Sequence, residues 1–226
     1  MNLKKLHQAE TFFFDQYPGG FSNPEMIALR KHHKLDQMVE LAQDYFRERN
    51  FNHPDLIVDN MTRIITRSSL ISRFEKPKFR EFAQSLSPME RQDLVQGLDE
   101  LLHGNEQTGF EILLAILQSW RLAKWPLMTV CQAYYRPEVE VFIKPTTTKG
   151  IIETLELKNL QYRPTPTWDF YERYRAAINE MKTKVDPSLS PYNIAFTGFL
   201  MRSIQGQYGE SMDEVAGTNN DIDGSD

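Results

Sequence analysis

Residues 110–117 read Phe110-Glu111-Ile112-Leu113-Leu114-Ala115-Ile116-Leu117 and are apolar at every position except Glu111. A helix that is apolar on nearly all sides is typical of a protein interior. We therefore predict that residues 106–122 form a central, buried helix. The apolar run is far shorter than the ~20 residues that span a bilayer, which argues against an integral membrane protein.

The sequence on both sides of this run repeats apolar residues every three to four positions, as amphipathic helices do. Ser87-Pro88-Met89-Glu90 has the pattern of a capping box with proline at the first helical position, so a helix should begin there and run to about His103. Asn23-Pro24 and Thr167 indicate two further helix starts. We predict a mainly α-helical domain of about nine helices.

One segment departs from helical spacing. Residues 139–143, Val-Glu-Val-Phe-Ile, alternate and are rich in β-branched side chains, and Pro137 and Pro145 flank them. This pattern predicts a small β element near 139–143. For residues 151–157, a helix and a second strand both fit the pattern, so both alternatives stay open.

Composition predicts one folded domain with an acidic extension. Of the 226 residues, 40% are hydrophobic and 25% are charged, as in ordinary globular proteins, which excludes a wholly disordered or collagen-like chain. Residues 210–226 contain six acids and no Lys or Arg: Glu210, Asp213, Glu214, Asp221, Asp223 and Asp226. We predict a helical domain over 1–209 and a disordered acidic tail over 210–226.

The net charge of −5 therefore describes the tail more than the domain. Without the six tail acids, 26 basic residues face 25 acidic ones, a net charge of +1. A mildly acidic total would argue against anionic partners, whereas a neutral domain with an uneven charge layout does not.

Two features predict a cytoplasmic protein. Cys131 is the single cysteine, so no internal disulfide is available, as is usual in a reducing compartment. The first ten residues interrupt their apolar positions with Lys4, Lys5, His7 and Glu10 and so lack the apolar region of a signal peptide. We expect no membrane partner.

No motif of high specificity for catalysis occurs in the sequence. It lacks a phosphate-binding glycine loop, a dinucleotide fingerprint, His-Glu-x-x-His, paired Cys-x-x-Cys and Gly-x-Ser-x-Gly. His32 and His33 are adjacent, but neighbours on a helix point to different sides, so we predict no metal site and no cofactor.

One weaker pattern suggests an enzyme. Glu138, followed by Glu156-Leu157-Lys158, has the outline of a nuclease site in which two carboxylates bind Mg²⁺ and a lysine stabilises charge. The pattern requires Glu156 and Lys158 to lie on a strand, and a helical assignment of this segment would remove the geometry. The alternative is that these side chains are merely exposed on a solvated face.

A basic run covers residues 62–80. It carries six bases against one acid, Glu75, and its bases are Arg63, Arg67, Arg73, Lys76, Lys78 and Arg80. One interpretation is an anion site, because adjacent arginines match phosphate geometry. The other is a solvated helix face that pairs with the acidic residues of 87–111. A second basic cluster, residues 30–34, lies at the junction of two helices.

Aromatic and arginine residues alternate over 162–175. Tyr171 and Tyr174 share a helical stripe with Ile178, which favours a place in the core. Trp168 falls off that stripe and, with Tyr162 and Arg163, is the predicted rim of a partner groove.

The function these observations favour is a non-enzymatic cytoplasmic accessory protein that binds its partner through a charge-polarised helical surface. The predicted contact residues are Arg63, Arg67, Arg73, Lys76, Lys78, Arg80 and Trp168. A protein partner is slightly favoured over a nucleic acid. The alternative function is a Mg²⁺-dependent nuclease or hydrolase that uses Glu138, Glu156 and Lys158. The sequence does not define the oligomeric state.

Overall fold

Eleven α-helices account for most of residues 1–189 and 191–208, the part of the chain described by the computed structural model. They are α1 (Leu3–Gln16), α2 (Pro24–His32), α3 (Leu35–Tyr45), α4 (Pro54–Arg67), α5 (Glu75–Ser85), α6 (Pro88–His103), α7 (Glu106–Ser119), α8 (Trp125–Tyr135), α9 (Pro145–Thr154), α10 (Trp168–Lys182) and α11 (Asn193–Tyr208). The mainly α-helical prediction is confirmed, and the acidic tail predicted over 210–226 lies outside the described residues.

The number of helices exceeds the predicted nine. Helix α5 begins inside the basic run at Glu75 and extends beyond it to Ser85, and Pro77 within the helix argues locally against a helix. Because Pro77 is only the third residue of α5, its missing N–H and fixed φ fall in the first turn, where a helix tolerates proline.

The β element predicted near 139–143 does not form. The N–H groups of Val139 and Glu140 donate to the carbonyl of Arg136 in a turn, and the N–H of Ile143 donates to Oγ1 of Thr129, at 3.0, 2.8 and 3.1 Å. A β-strand needs a partner strand to pair its backbone groups, and the described chain contains no strand. A turn carbonyl and the Thr129 side chain of α8 accept the hydrogen bonds of this segment instead. Residues 151–154 lie in α9, so the helical alternative is correct for them.

The most deeply buried helix is α8, in place of the predicted 106–122 helix. Its residues from Leu127 to Tyr134 are all buried, and so is Trp125. Helix α7 instead keeps Glu111 and Ala115 exposed and buries its other side against α6. The apolar composition of α7 reflects a tight helix pair and not a central position.

The α6–α7 pair depends on two capping motifs and two glycines. The predicted capping box is present, since the Glu90 N–H donates to the Ser87 hydroxyl and the Ser87 N–H donates to the Glu90 carboxylate, at 3.3 and 2.9 Å. Asn105 caps α7 by accepting from the Thr108 N–H at 2.9 Å. A Cβ on Gly109 would lie 2.1 Å from the backbone nitrogen of Leu101 and 2.6 Å from the Gly97 carbonyl oxygen, so the two backbones touch there.

Helix α11 closes the domain by packing along α1 and α9. The Phe13 and Phe199 rings meet edge to face at 5.1 Å, and the Asn2 N–H donates to the Leu155 carbonyl at 2.8 Å, which ties α1 to the end of α9. One side of α11 thereby faces α2 and the start of α9, where a cavity remains.

The substitution Gly109→Ala should destabilise the fold by more than about 2 kcal/mol, because the added methyl group forces two backbones apart. Gly198→Ala is the matched control: a Cβ there meets nothing within 4 Å, and alanine favours the helix by about 0.5–1 kcal/mol. Urea unfolding followed by circular dichroism measures both, and equal stability of the two variants would contradict the close approach.

Candidate functional site

A cavity of about 460 Å³ lies between α2, the α4–α5 connection, the start of α9 and α11, and we call it the α2–α11 pocket. Its size is within the usual range for small-ligand sites. Much of its wall is apolar, with Met26, Leu35, Phe142 and Phe199 among the buried lining residues. Such a wall favours a ligand with an apolar part.

The polar part of the lining is positively charged. Arg30, His33, Lys144 and Arg202 line the pocket, and no Asp or Glu belongs to the lining in the described chain. Arg30 is neutralised locally, because its Nε donates to both carboxylate oxygens of Asp36 at 2.9 and 3.0 Å.

Lys144 and Arg202 keep their charge uncompensated. Lys144 is extended, as the residue before Pro145 tends to be, and makes no ion pair with any described residue. Arg202 donates to the Tyr17 hydroxyl at 3.3 Å and lies over the Tyr17 ring at 5.9 Å, both neutral contacts. Neither cation has a carboxylate partner in residues 1–189 and 191–206.

His33 lines the same pocket as these two cations. Its Nδ1 is 2.8 Å from the Ser69 hydroxyl, which lies on the α4–α5 connection. Burial lowers the pKa of His33, and electrostatic interactions with His32, Arg202 and Lys144 lower it further. The imidazole is therefore neutral at pH 7.

Gly198 in the middle of α11 opens the pocket wall. A Cβ at this position would meet no atom within 4 Å, so the space beside the glycine is empty. A glycine inside a helix is unfavourable by about 0.5–1 kcal/mol relative to alanine. The glycine thus leaves room in the α2–α11 pocket, and this lowers the stability of α11.

A second polar feature is a buried ion network around Glu140, whose side chain is 1% exposed. Arg175 Nη1 donates to both carboxylate oxygens of Glu140, at 2.8 and 2.9 Å. Arg136 Nη2 lies 2.8 Å from Oε1 of Glu140, and the Tyr171 hydroxyl donates to Oε2 at 2.6 Å. Glu106 at the start of α7 completes the network by accepting from Arg175 and Arg136 at 2.7 and 2.8 Å.

The network balances two carboxylates against two guanidinium groups. Burial by itself raises the pKa of Glu106, but its hydrogen bonds and its attraction to Arg175 and Arg136 outweigh that effect and lower the pKa. Glu106 thus adds stability above the pKa that it has in the unfolded chain, and that contribution is lost as the pH falls through its folded pKa. We assign the network a structural role, since it joins α7, α8 and α10.

The predicted basic surface is present but is spread over α4, α5 and their connection. Arg63, Arg67, Arg73, Lys78 and Arg80 are exposed, and Lys76 is half-buried. None of the six forms an ion pair with a described residue, so the predicted pairing with residues 87–111 is not observed. Phe74 beside them is 66% exposed, with the Arg73 guanidinium over its ring at 4.8 Å.

The residues of the predicted nuclease site do not lie on a strand. Glu156 is in the turn after α9, with φ at 53°, and pairs with Lys5 Nζ at 2.9 Å. Glu138 lies in the segment before α9, where its carbonyl accepts from Lys182 at 2.6 Å, and Lys158 is exposed. No group of three or more His, Cys, Asp or Glu side chains suited to a metal occurs in the described chain.

Trp168 is half-buried and packs against the core, and its place at the rim of a partner groove stays a prediction. Its ring is 5.7 Å from that of Phe110 and 5.8 Å from that of Tyr171, and Arg175 lies over it at 5.6 Å. The core positions predicted for Tyr171 and Tyr174 are confirmed, since both are fully buried.

Sequence reasoning missed the α2–α11 pocket. The basic cluster at residues 30–34, placed by the sequence at a helix junction, supplies Arg30 and His33 to the lining. Lys144 and Arg202 are isolated cations in the sequence, and their convergence depends on the packing of α9 and α11. The glycine at position 198 inside an apolar helix was the one local signal of an opening.

No protein-family model, curated protein or solved structure matches the chain. Among the described helices, none is long and apolar enough to cross a membrane.

Replacing Glu140 by Gln should lower the free energy of unfolding by about 3 kcal/mol, because Arg136 and Arg175 then share Glu106 as their one carboxylate partner in the described network. The control is Asp169→Asn, which removes an exposed pair with Arg173 (2.7 Å) and should cost less than about 1 kcal/mol. Urea unfolding measures both, and a similar loss in the two variants would contradict the structural role of the network.

Proposed function

We propose that this protein is a non-enzymatic binding protein whose α2–α11 pocket holds a small amphipathic anion. The observation that carries the proposal is an apolar cavity with Lys144 and Arg202 in its lining and no acidic side chain among the described lining residues. Pockets that bind small ligands combine an apolar wall with a few convergent polar groups in this way. The proposed partner is thus a small anion, whereas the sequence favoured a protein or a polyanion bound at a charge-polarised helical surface.

The rest of the chain supports binding over catalysis. Burial raises the pKa of the Cys131 thiol to about 12, so this cysteine is protonated and unreactive at neutral pH. Among the described residues, His33 has no carboxylate hydrogen-bonded to it, and its side-chain partner is the hydroxyl of Ser69, which is exposed on a connection. Nuclease chemistry by Glu138, Glu156 and Lys158 stays a prediction without support from their geometry.

The fluorescent dye 8-anilinonaphthalene-1-sulfonate, an amphipathic anion, should bind the native protein with increased emission. Gly198→Trp should abolish this binding, because the indole ring would occupy the space beside position 198 that the dye needs. Gly198→Ala should retain the binding. Lys144→Ala should weaken binding roughly tenfold, because a charge-assisted hydrogen bond to the anion is removed. The exposed Lys149→Ala on the same helix is the matched charge control.

Thermal unfolding with unchanged cooperativity must accompany each titration, since partly unfolded proteins also bind this dye. Equal dye binding by the wild type and a folded Gly198→Trp variant would contradict the proposal.

A second candidate function rests on the basic surface of α4 and α5. Its six cations have no ion-pair partner among the described residues, and the exposed Phe74 offers an aromatic face beside them. Single-stranded nucleic acid combines phosphates with stackable bases and fits such a surface. A protein partner at the same surface, slightly favoured by the sequence, also stays a prediction.

Binding of a single-stranded oligonucleotide should weaken with salt if this surface contacts phosphates. The variant Arg63→Gln/Arg67→Gln should reduce the slope of log affinity against log salt by roughly 0.7 for each phosphate that the variant no longer neutralises. Lys158→Gln/Lys184→Gln, which removes two exposed charges elsewhere, should leave the slope unchanged. The same slope in both double variants would exclude this surface as the phosphate-binding one.

A further inference from the structure

The positive charges in the α2–α11 pocket that lack a carboxylate partner can be counted. Arg30 is paired with Asp36, whereas Lys144 and Arg202 have no carboxylate partner in the described chain. His33 is neutral at pH 7, because burial lowers the pKa of its imidazole and the positive charges of Arg202 and Lys144 lower it further. The pocket therefore carries two permanent positive charges.

We propose that the ligand of this pocket is a phosphate monoester with an apolar substituent, and that His33 takes up a proton when the ligand binds. This inference rests on the proposed function, since it names the chemical class of the ligand for the same pocket.

The match in charge favours a phosphate monoester over a carboxylate or a sulfate ester. A phosphate monoester carries about −1.5 to −2 charges at pH 7 and has three acceptor oxygens. It can thus satisfy both Lys144 and the forked guanidinium of Arg202. A carboxylate or sulfate ester brings one charge and would leave one of the two cations uncompensated.

The start of α9 adds to this preference. Lys144 is the residue before the first turn of α9, which has no side-chain cap, and Thr147 of that turn lines the pocket. The N-terminal end of a helix favours anions through its partial positive charge and free N–H groups. Together with the two cations, it places the anion-binding part of the pocket near Lys144.

The surroundings of His33 explain the proton uptake. Three positive or titratable neighbours act on it, namely His32 on α2, Lys144 before α9 and Arg202 on α11, while Ser69 holds its Nδ1. The remaining titratable and charged groups at the pocket are Arg30 with its partner Asp36, Tyr134 and Tyr192. A bound dianion reverses the sign of the local field, which raises the pKa of the imidazole.

The direction of the pH effect follows from linkage. Without ligand, the pKa of His33 lies below its usual value, so the imidazole is neutral at pH 7. With ligand, the pKa is higher, so binding takes up protons and affinity rises as the pH falls through the pKa that His33 has in the liganded protein. Below about pH 6 the ligand itself gains a proton, which reverses the gain.

Displacement of the dye by three octyl compounds tests the anionic group. At pH 7, octyl phosphate should displace the dye at a roughly tenfold lower concentration than octyl sulfate or octanoate. Lys144→Ala should remove most of this preference, and Lys149→Ala should keep it. Equal potency of the three compounds would overturn the phosphate assignment and leave the pocket itself intact, whereas failure of the dye and all three compounds to bind would overturn the proposed function.

Calorimetry in two buffers of different ionisation enthalpy tests the role of His33. The wild type should take up protons when it binds octyl phosphate at pH 7, and His33→Gln, which keeps a hydrogen-bonding group beside Ser69, should lose that uptake. His32→Gln is the control and should keep it. An unchanged uptake in His33→Gln, or none in the wild type, would overturn the proton-linked part of the proposal.

Discussion

The carboxylate of Glu140 is the group on which the arrangement of α7, α8 and α10 depends. An ionised carboxylate that is almost fully buried is tolerated only with several hydrogen-bonded counter-charges. Those partners come from the end of α8 (Arg136) and from α10 (Tyr171 and Arg175), and Arg175 in turn binds Glu106 at the start of α7. None of the three helices can shift without uncovering a charge.

The ion network also affects the candidate site, because Glu140 and the pocket residue Lys144 belong to the same segment of the chain. Glu140 lies in the irregular segment between α8 and α9, and this segment ends at Lys144 in the pocket lining. The segment has no sheet to hold it, so side chains of neighbouring helices bind its backbone instead. Asn179 and Asn193 both donate to the Val139 carbonyl, at 2.9 and 2.8 Å, and Thr129 accepts from Ile143. The position of the pocket lysine is thus fixed by contacts along its segment, from Val139 to Ile143.

Local sequence signals predicted the capped helix starts correctly. Ser87 and Asn23 cap their helices as their positions predict, because capping depends only on residues within one turn. The strand predicted near 139–143 was wrong because a strand requires a partner, which local alternation cannot reveal. The ion network and the pocket both unite residues that are far apart in the chain, such as Glu106 with Arg175 and His33 with Arg202. Their assembly depends on which helices are neighbours, and a single sequence carries no direct signal of that.

Gly198 makes the capacity of the pocket depend on one side chain. Since a side chain at this position meets empty space instead of packed neighbours, its size can change without a rearrangement of α11. Under the proposed function, single substitutions at Gly198 would change the length of ligand that fits, while Lys144 and Arg202 would keep the charge requirement constant. Ligand size and ligand charge would then be specified by separate residues.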